Sequence, residues 1–173
     1  AAGWGDAAVI CPWQLYLSYG DKQVLEEQFE SMRAWIEYLR AQGEDECLWN
    51  TGVQYGDWLG LDTPCRWEVP LDTVEYTGAT HPYLIATAYY AYATELFTKA
   101  GRVLGRNMDE YEDLHKRIKK KFQQTYSREG RLVSDTQSAW AIGLYFGLVE
   151  DTAAGAARLA ELVEAAGEHL TTG

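Results

Sequence analysis

The sequence predicts an all-α fold built from consecutive helical hairpins, and three observations carry that prediction. Six stretches show helical hydrophobic periodicity, each bounded by residues that start or stop helices. They alternate: the first, third and fifth are apolar on most faces, whereas the second, fourth and sixth carry one apolar stripe. No self-similarity at about 34 or 40 residues marks a solenoid. Three buried-then-exposed pairs are what inner helices ringed by outer ones require. Residues 1–173 therefore read as about half of an (α/α)6 toroid.

Each element has its own grounds. Ala7 to Tyr19 is apolar nearly all round through Val9, Ile10, Trp13, Leu15, Tyr16 and Leu17, so a helix buried on several sides is expected. Asp6 is placed to cap it, Pro12 to kink it and Gly20 to end it. From Lys22 to Gln42, Leu25, Phe29, Met32, Ile36 and Leu39 recur at spacings of three and four, with Asp21 before and Gly43 after. A third helix starts at Pro82 and runs to Ala100, closed by Gly101. A fourth starts at Asn107, with Glu110 as capping-box partner and a stripe of Tyr111, Leu114, Ile118 and Phe122. Ser127 to Arg131 reads as a turn. The fifth helix, Thr136 to Val149, is capped by Ser134 or Asp135, and the sixth, Thr152 to Ala166, turns Leu159, Leu162 and Val163 inward.

Composition excludes several partners. A net charge of -11 repels nucleic acid and anionic membrane surfaces. No apolar run approaches the roughly 18 residues of a membrane span. The basic run Lys116 to Lys121 lies opposite an apolar stripe and reads as a solvated helix face. Cys11, Cys47 and Cys65 form no C-x-x-C pair, which favours free thiols and a cytoplasmic setting. His81, His115 and His169 follow no metal-ligand spacing, so neither metal nor cofactor is expected.

Seven tryptophans and twelve tyrosines are many for 173 residues, and two of the tryptophans stand in distinctive company. Gly3-Trp4-Gly5-Asp6 opens the chain, and Gly56-Asp57-Trp58-Leu59 lies in the glycine-rich passage from Asn50 to Leu61. Glycine allows sharp turns and close approach of backbone to a ligand. A flat ring beside a hydrogen-bonding carboxyl group suits the grip of a sugar. Each motif alone reads equally well as an ordinary loop, with Asp6 a helix cap and Trp58 a buried plug. Both motifs, and Ser134-Asp135-Thr136, precede inner helices, so a toroid would gather them at one mouth. Trp4, Asp6, Asp57 and Trp58 are thus the candidate substrate-binding residues.

These residues resemble the catalytic domain of bacterial α-L-rhamnosidases. The resemblance rests on Gly3-Trp4-Gly5-Asp6-Ala7-Ala8-Val9-Ile10-Cys11-Pro12-Trp13, Tyr19-Gly20-Asp21 and Leu48-Trp49-Asn50-Thr51-Gly52. It continues through Gly56-Asp57-Trp58-Leu59, Asp135-Thr136-Gln137 and His169-Leu170-Thr171-Thr172-Gly173, in order along the whole chain. It implies an (α/α)6 barrel and an inverting hydrolase that releases terminal L-rhamnose from glycosides or polysaccharides. Trp4 and Trp58 are then sugar-contacting rings, and Asp6 and Asp57 polar contacts or pocket scaffolding. The family's acid-bearing Asp-x-x-x-x-Glu-Arg-x-Gly-Trp-x-Gly-Asp segment would precede Ala1, and its general-base glutamate would follow Gly173. The chain is accordingly expected to be a piece truncated at both ends, without catalytic residues of its own, inactive alone, and self-associating through its cut edges. The alternatives are a non-catalytic helical interaction module and an (α/α)6 hydrolase of other sugar specificity.

Overall fold

The computed structural model describes residues 1–43, 45–61 and 78–173. Cys65 and the prolines at 64 and 70 lie outside the described residues. Six helices follow in order: α1 (Ala7–Tyr19), α2 (Lys22–Arg40), α3 (Pro82–Val103), α4 (Asp109–Tyr126), α5 (Gln137–Tyr145) and α6 (Thr152–Ala165). A small antiparallel ribbon, β1 (Ser127–Arg128) and β2 (Arg131–Leu132), joins α4 to α5. Glu129 and Gly130 both have positive φ, 52° and 77°, as a two-residue hairpin turn demands. The expected turn is therefore a true hairpin.

The helices pack largely by sequence neighbour. α1 lies on α2 and α3, α2 on α3, α3 on α4 and α5, and α5 on α6. The inner positions thus fall to α1, α3 and α5, the alternation expected of a toroid of hairpins. The predicted stripe of α2, Leu25, Phe29, Met32, Ile36 and Leu39, is its set of buried residues. α3 is the core element: Leu84, Tyr90, Leu96 and Phe97 are fully or almost fully buried. Phe29 of α2 and Tyr111 of α4 meet Phe97 from two sides, each with ring centroids 4.8 Å apart. Each such side chain contributes about 1.5–3 kcal/mol by leaving water.

Several local expectations are corrected. α1 is buried only at Val9 and Pro12, so it is not enclosed on several sides; Leu15, Leu17 and Tyr19 are exposed, and Val9 faces the core. Asp6 holds the N-cap position without capping, because both its oxygens are engaged elsewhere. α3 continues through Gly101, whose missing Cβ leaves room for the Met108 thioether, and ends before Gly105 at φ 71°. Asn107 receives the Asp109 N–H at 2.9 Å, while Glu110 pairs with Arg40 at 2.8 Å rather than closing a capping box. α5 is shorter than expected and is capped by the Thr136 hydroxyl, which accepts from Ala139 N at 3.2 Å.

The passage from α2 toward the glycine-rich stretch leaves from a fixed point. Arg40 donates to Glu46 at 2.8 Å, Arg117 also pairs with Glu46, and Lys121 meets Asp45 at 2.6 Å. Tyr90 donates its hydroxyl to the Glu46 carbonyl at 3.0 Å, and Thr87 exchanges hydrogen bonds with the Trp49 backbone at 3.3 Å. The basic run of α4 is therefore spent partly on this anchor. No described helix is long and apolar enough to cross a membrane.

Candidate functional site

The N-terminal ends of α3 and α5 are tied side by side. The Thr80 and Thr136 hydroxyls lie 2.6 Å apart, and His81 N donates to Ser134 Oγ at 3.0 Å. Tyr83 reaches from the first turn of α3 to the Gly52 carbonyl at 3.2 Å, holding the glycine-rich stretch over the same end. At the N-terminal end of α1, Ala2 N donates to Gln54 Oε1 at 2.7 Å. Three loops from distant parts of the chain are thereby drawn to one mouth.

Between them opens a cleft of about 630 Å³. Trp4 and Trp58 stand in its wall with Asp57, and Ile85, Tyr89 and Ile142 supply apolar surface from α3 and α5. Trp4 is 73% exposed and Trp58 45% exposed, so neither ring is a core plug. The glycines flanking Trp4 have different reasons. Gly3 sits at φ 77°, a conformation L side chains rarely adopt, and a Cβ on Gly5 would overlap the Trp35 indole.

Asp6 lies beneath this wall and does not line the cleft. It is fully buried, accepting from Trp35 Nε1 and from Gly3 N, both at 2.8 Å. Burial is the largest influence on its carboxyl group and pushes its pKa above the ordinary aspartate value, while those two hydrogen bonds pull the other way. Its position fixes the turn that presents Trp4.

Trp58 is presented by a strained turn. Gly60 N donates to the Asp57 carbonyl at 2.9 Å, and Leu59 between them has φ 65°. An i to i+3 bond with positive φ at the third position describes a type II turn, where glycine is usual. Leu59 holds it at a cost of about 1–2 kcal/mol. Tyr55 braces the Trp58 ring edge-on, with centroids 4.9 Å apart.

Asp57 is 8% exposed, and both its oxygens take hydrogen bonds from protein. Ser138 Oγ donates to Oδ2, and Gly173 N donates to Oδ1 at 2.8 Å. Residues 169–173 are threaded beside the cleft by further bonds. Gln137 Nε2 donates to the His169 carbonyl at 3.0 Å, Thr171 N donates to Gln137 Oε1 at 3.0 Å, and Leu61 N donates to the Thr171 carbonyl at 2.9 Å. Of the motif Asp135-Thr136-Gln137, Thr136 caps and Gln137 holds this segment. Asp135 accepts from the buried Trp140 indole at 2.7 Å and from Arg158, whose guanidinium holds its carboxyl group below the usual range.

Chemically the cleft offers exposed rings, apolar walls and one carboxyl group, that of Asp57, among its described lining residues. Two separated carboxyl groups are what hydrolysis of a glycosidic bond requires. Among the described residues no cluster of three or more His, Cys, Asp or Glu is placed to hold a metal ion. Trp4, Asp57 and Trp58 thus meet in one cleft with Asp6 behind them. Sequence reasoning missed Ser138, Tyr89 and the role of Gln137. A serine on an otherwise apolar helix, directly after a singled-out motif, was the available signal for Ser138.

All 173 residues, 1–173, match the model of the bacterial alpha-L-rhamnosidase 6 hairpin glycosidase domain. An α-L-rhamnosidase of Streptomyces avermitilis is 40% identical over 175 aligned residues, covering 99% of this chain and 15% of that protein. One from an Alteromonas species is 34% identical, covering 100% of this chain and 19% of the relative. The crystal structure of the Streptomyces avermitilis α-L-rhamnosidase complexed with L-rhamnose superposes with a TM-score of 0.86 at 38% identity, over 100% of this chain and 16% of that one. The native enzyme of Aspergillus terreus superposes with the same score at 29% identity, over 99% of this chain and 20% of that one. The chain therefore spans less than a fifth of the length of these curated relatives.

Proposed function

Because the chain belongs to the bacterial α-L-rhamnosidase six-hairpin glycosidase family, we propose that its cleft is one wall of a pocket for a terminal α-L-rhamnosyl residue. The observation that carries this reading is that Trp4 and Trp58, far apart in the sequence, turn exposed rings into one cleft instead of plugging separate cores. A 6-deoxy sugar presents apolar C–H faces to such rings and a methyl group to the aliphatic surface of Ile85 and Ile142. Asp6 and Asp57 serve as scaffolding: one sets the Trp4 turn, the other is engaged by Ser138 and Gly173.

The parent protein, in this reading, is an inverting α-L-rhamnosidase acting on rhamnose-containing glycosides or polysaccharides. The family resemblance places its general acid and general base in segments outside residues 1–173, and among the described lining residues the cleft carries one carboxyl group where inversion needs two. The test is a titration followed by NMR on the Trp4 and Trp58 indole N–H signals. L-Rhamnose should shift both while D-glucose leaves them in place. A response to glucose in place of rhamnose would assign the cleft to another sugar. No response to either would leave a helical interaction module and overturn the reading.

A further inference from the structure

The Asp57 carboxyl group joins three parts of the chain that no local sequence relation connects. Its backbone begins the turn that presents Trp58, its Oδ2 accepts from Ser138 on the first turn of α5, and its Oδ1 accepts from Gly173 N at 2.8 Å. The fit around it is close. A Cβ at Gly173 would overlap the Trp58 carbonyl, and a Cβ at Gly78 would come within 2.7 Å of the Asp57 carbonyl oxygen. Gly173 can lie there only because it lacks a side chain.

We propose that Asp57 is a positioning residue whose carboxyl group latches the Thr171–Gly173 segment between the Trp58 turn and α5, and so sets the line on which the chain leaves Gly173 at the cleft. The latch is bidentate in function, one oxygen for each side of the seam, and it works with Gln137, which grips the chain at Thr171 and at His169. A side chain whose oxygens are committed to Ser138 and Gly173 is matched to holding backbone, not to moving a proton. Resting on the rhamnosidase reading above, the consequence is that Asp57 places the segment expected to bring the general base, without itself touching the reacting atoms.

Two substitutions separate this role from a direct one. Asparagine is isosteric with aspartate, its amide oxygen can accept from Gly173 N, and its NH2 can donate to Ser138 Oγ. Asp57→Ala can do neither. In the 173-residue protein, amide hydrogen exchange at Gly173 should speed at least tenfold in Asp57→Ala and no more than about threefold in Asp57→Asn. Exchange in the α3 core, at Leu96, should be unchanged in both, showing that the fold persists. Unchanged Gly173 exchange in Asp57→Ala would overturn the latch whatever the activity of the parent enzyme. In the full-length rhamnosidase, Asp57→Ala should lower kcat at least tenfold with KM within threefold, and Asp57→Asn should recover most of that loss. An Asp57→Asn enzyme as inactive as Asp57→Ala, with Gly173 still protected, would make Asp57 a direct participant and defeat the proposal. A wild-type enzyme without rhamnosidase activity would refute the functional reading alone, since the exchange experiment needs no sugar.

Discussion

Replacing Trp58 by alanine tests whether the cleft grips its ligand by ring contact. Trp58 leaves 45% of its surface to solvent. A tryptophan carries up to about 250 Å² of contact area, so roughly 110 Å² is open at the cleft. A pyranose lying on one face covers about half of that. At about 25 cal/mol per Å², the roughly 55 Å² removed from water is worth about 1.4 kcal/mol, which is a tenfold change in an equilibrium or rate constant. The stacking geometry adds to this figure, so tenfold is a lower bound. The fold should survive, because the ring is half exposed and rests edge-on against Tyr55 instead of filling the core. Steady-state kinetics of the full-length enzyme on an aryl α-L-rhamnoside should show kcat/KM at least tenfold lower in Trp58→Ala, with Trp58→Phe intermediate. Unchanged kcat/KM in Trp58→Ala would refute the ring-contact reasoning and leave Trp58 as a structural residue.

Three further outcomes follow from the same geometry. Asp135→Asn keeps an acceptor for the Trp140 indole but loses the Arg158 pair, about one-third exposed on each side, and should destabilise by no more than about 1 kcal/mol; Asp135→Ala also strands a buried N–H, adding about 1–3 kcal/mol in chemical denaturation. Because Arg158 holds the folded-state pKa of Asp135 below 3.8, its contribution is present above that value and is lost as pH falls through the folded-state pKa, so the gap between wild type and Asp135→Asn should close in acid. Leu59→Gly should raise stability by up to about 1 kcal/mol by relieving the positive φ, an effect limited by the added freedom of the unfolded chain, and a lower melting temperature would contradict it. The exposed Leu15, Leu17, Tyr19 and Tyr145 should drive self-association of the 173-residue protein; a clean monomer in sedimentation at micromolar concentration would show that these side chains form no cohesive edge.

What was legible in the sequence was what short-range physics writes there. The α2 stripe repeats every three to four residues because a helix turns at that period, so its buried set could be named beforehand. Asp21 and Pro82 mark helix starts through bonds and dihedrals within a few residues. Gly101 misled because a glycine near a helix end serves equally as a stop or as room for a neighbour, and only Met108 in place decides between them. Asp6 misled similarly: its cap position is local, but its actual partner, Trp35, is 29 residues away. The gathering of Trp4, Asp57 and Trp58 could be argued from motif order, whereas the engagement of Asp57 by Ser138 and Gly173 spans 81 and 116 residues and leaves no local trace.

Packing by sequence neighbour and the seam at Asp57 also divide the molecule in time. Hairpin contacts such as α1 on α2 and α3 on α4 close short stretches of chain and can form early. The Asp57–Gly173 bond closes 116 residues, and the entropy of closing so long a loop, on the order of 4 kcal/mol for a flexible chain, must first be reduced by helices already docked. The helical scaffold is therefore expected to dock before its own mouth closes. On the proposed reading of the cleft, a chain caught before the seam closes would be helical and compact but would lack the assembled sugar pocket.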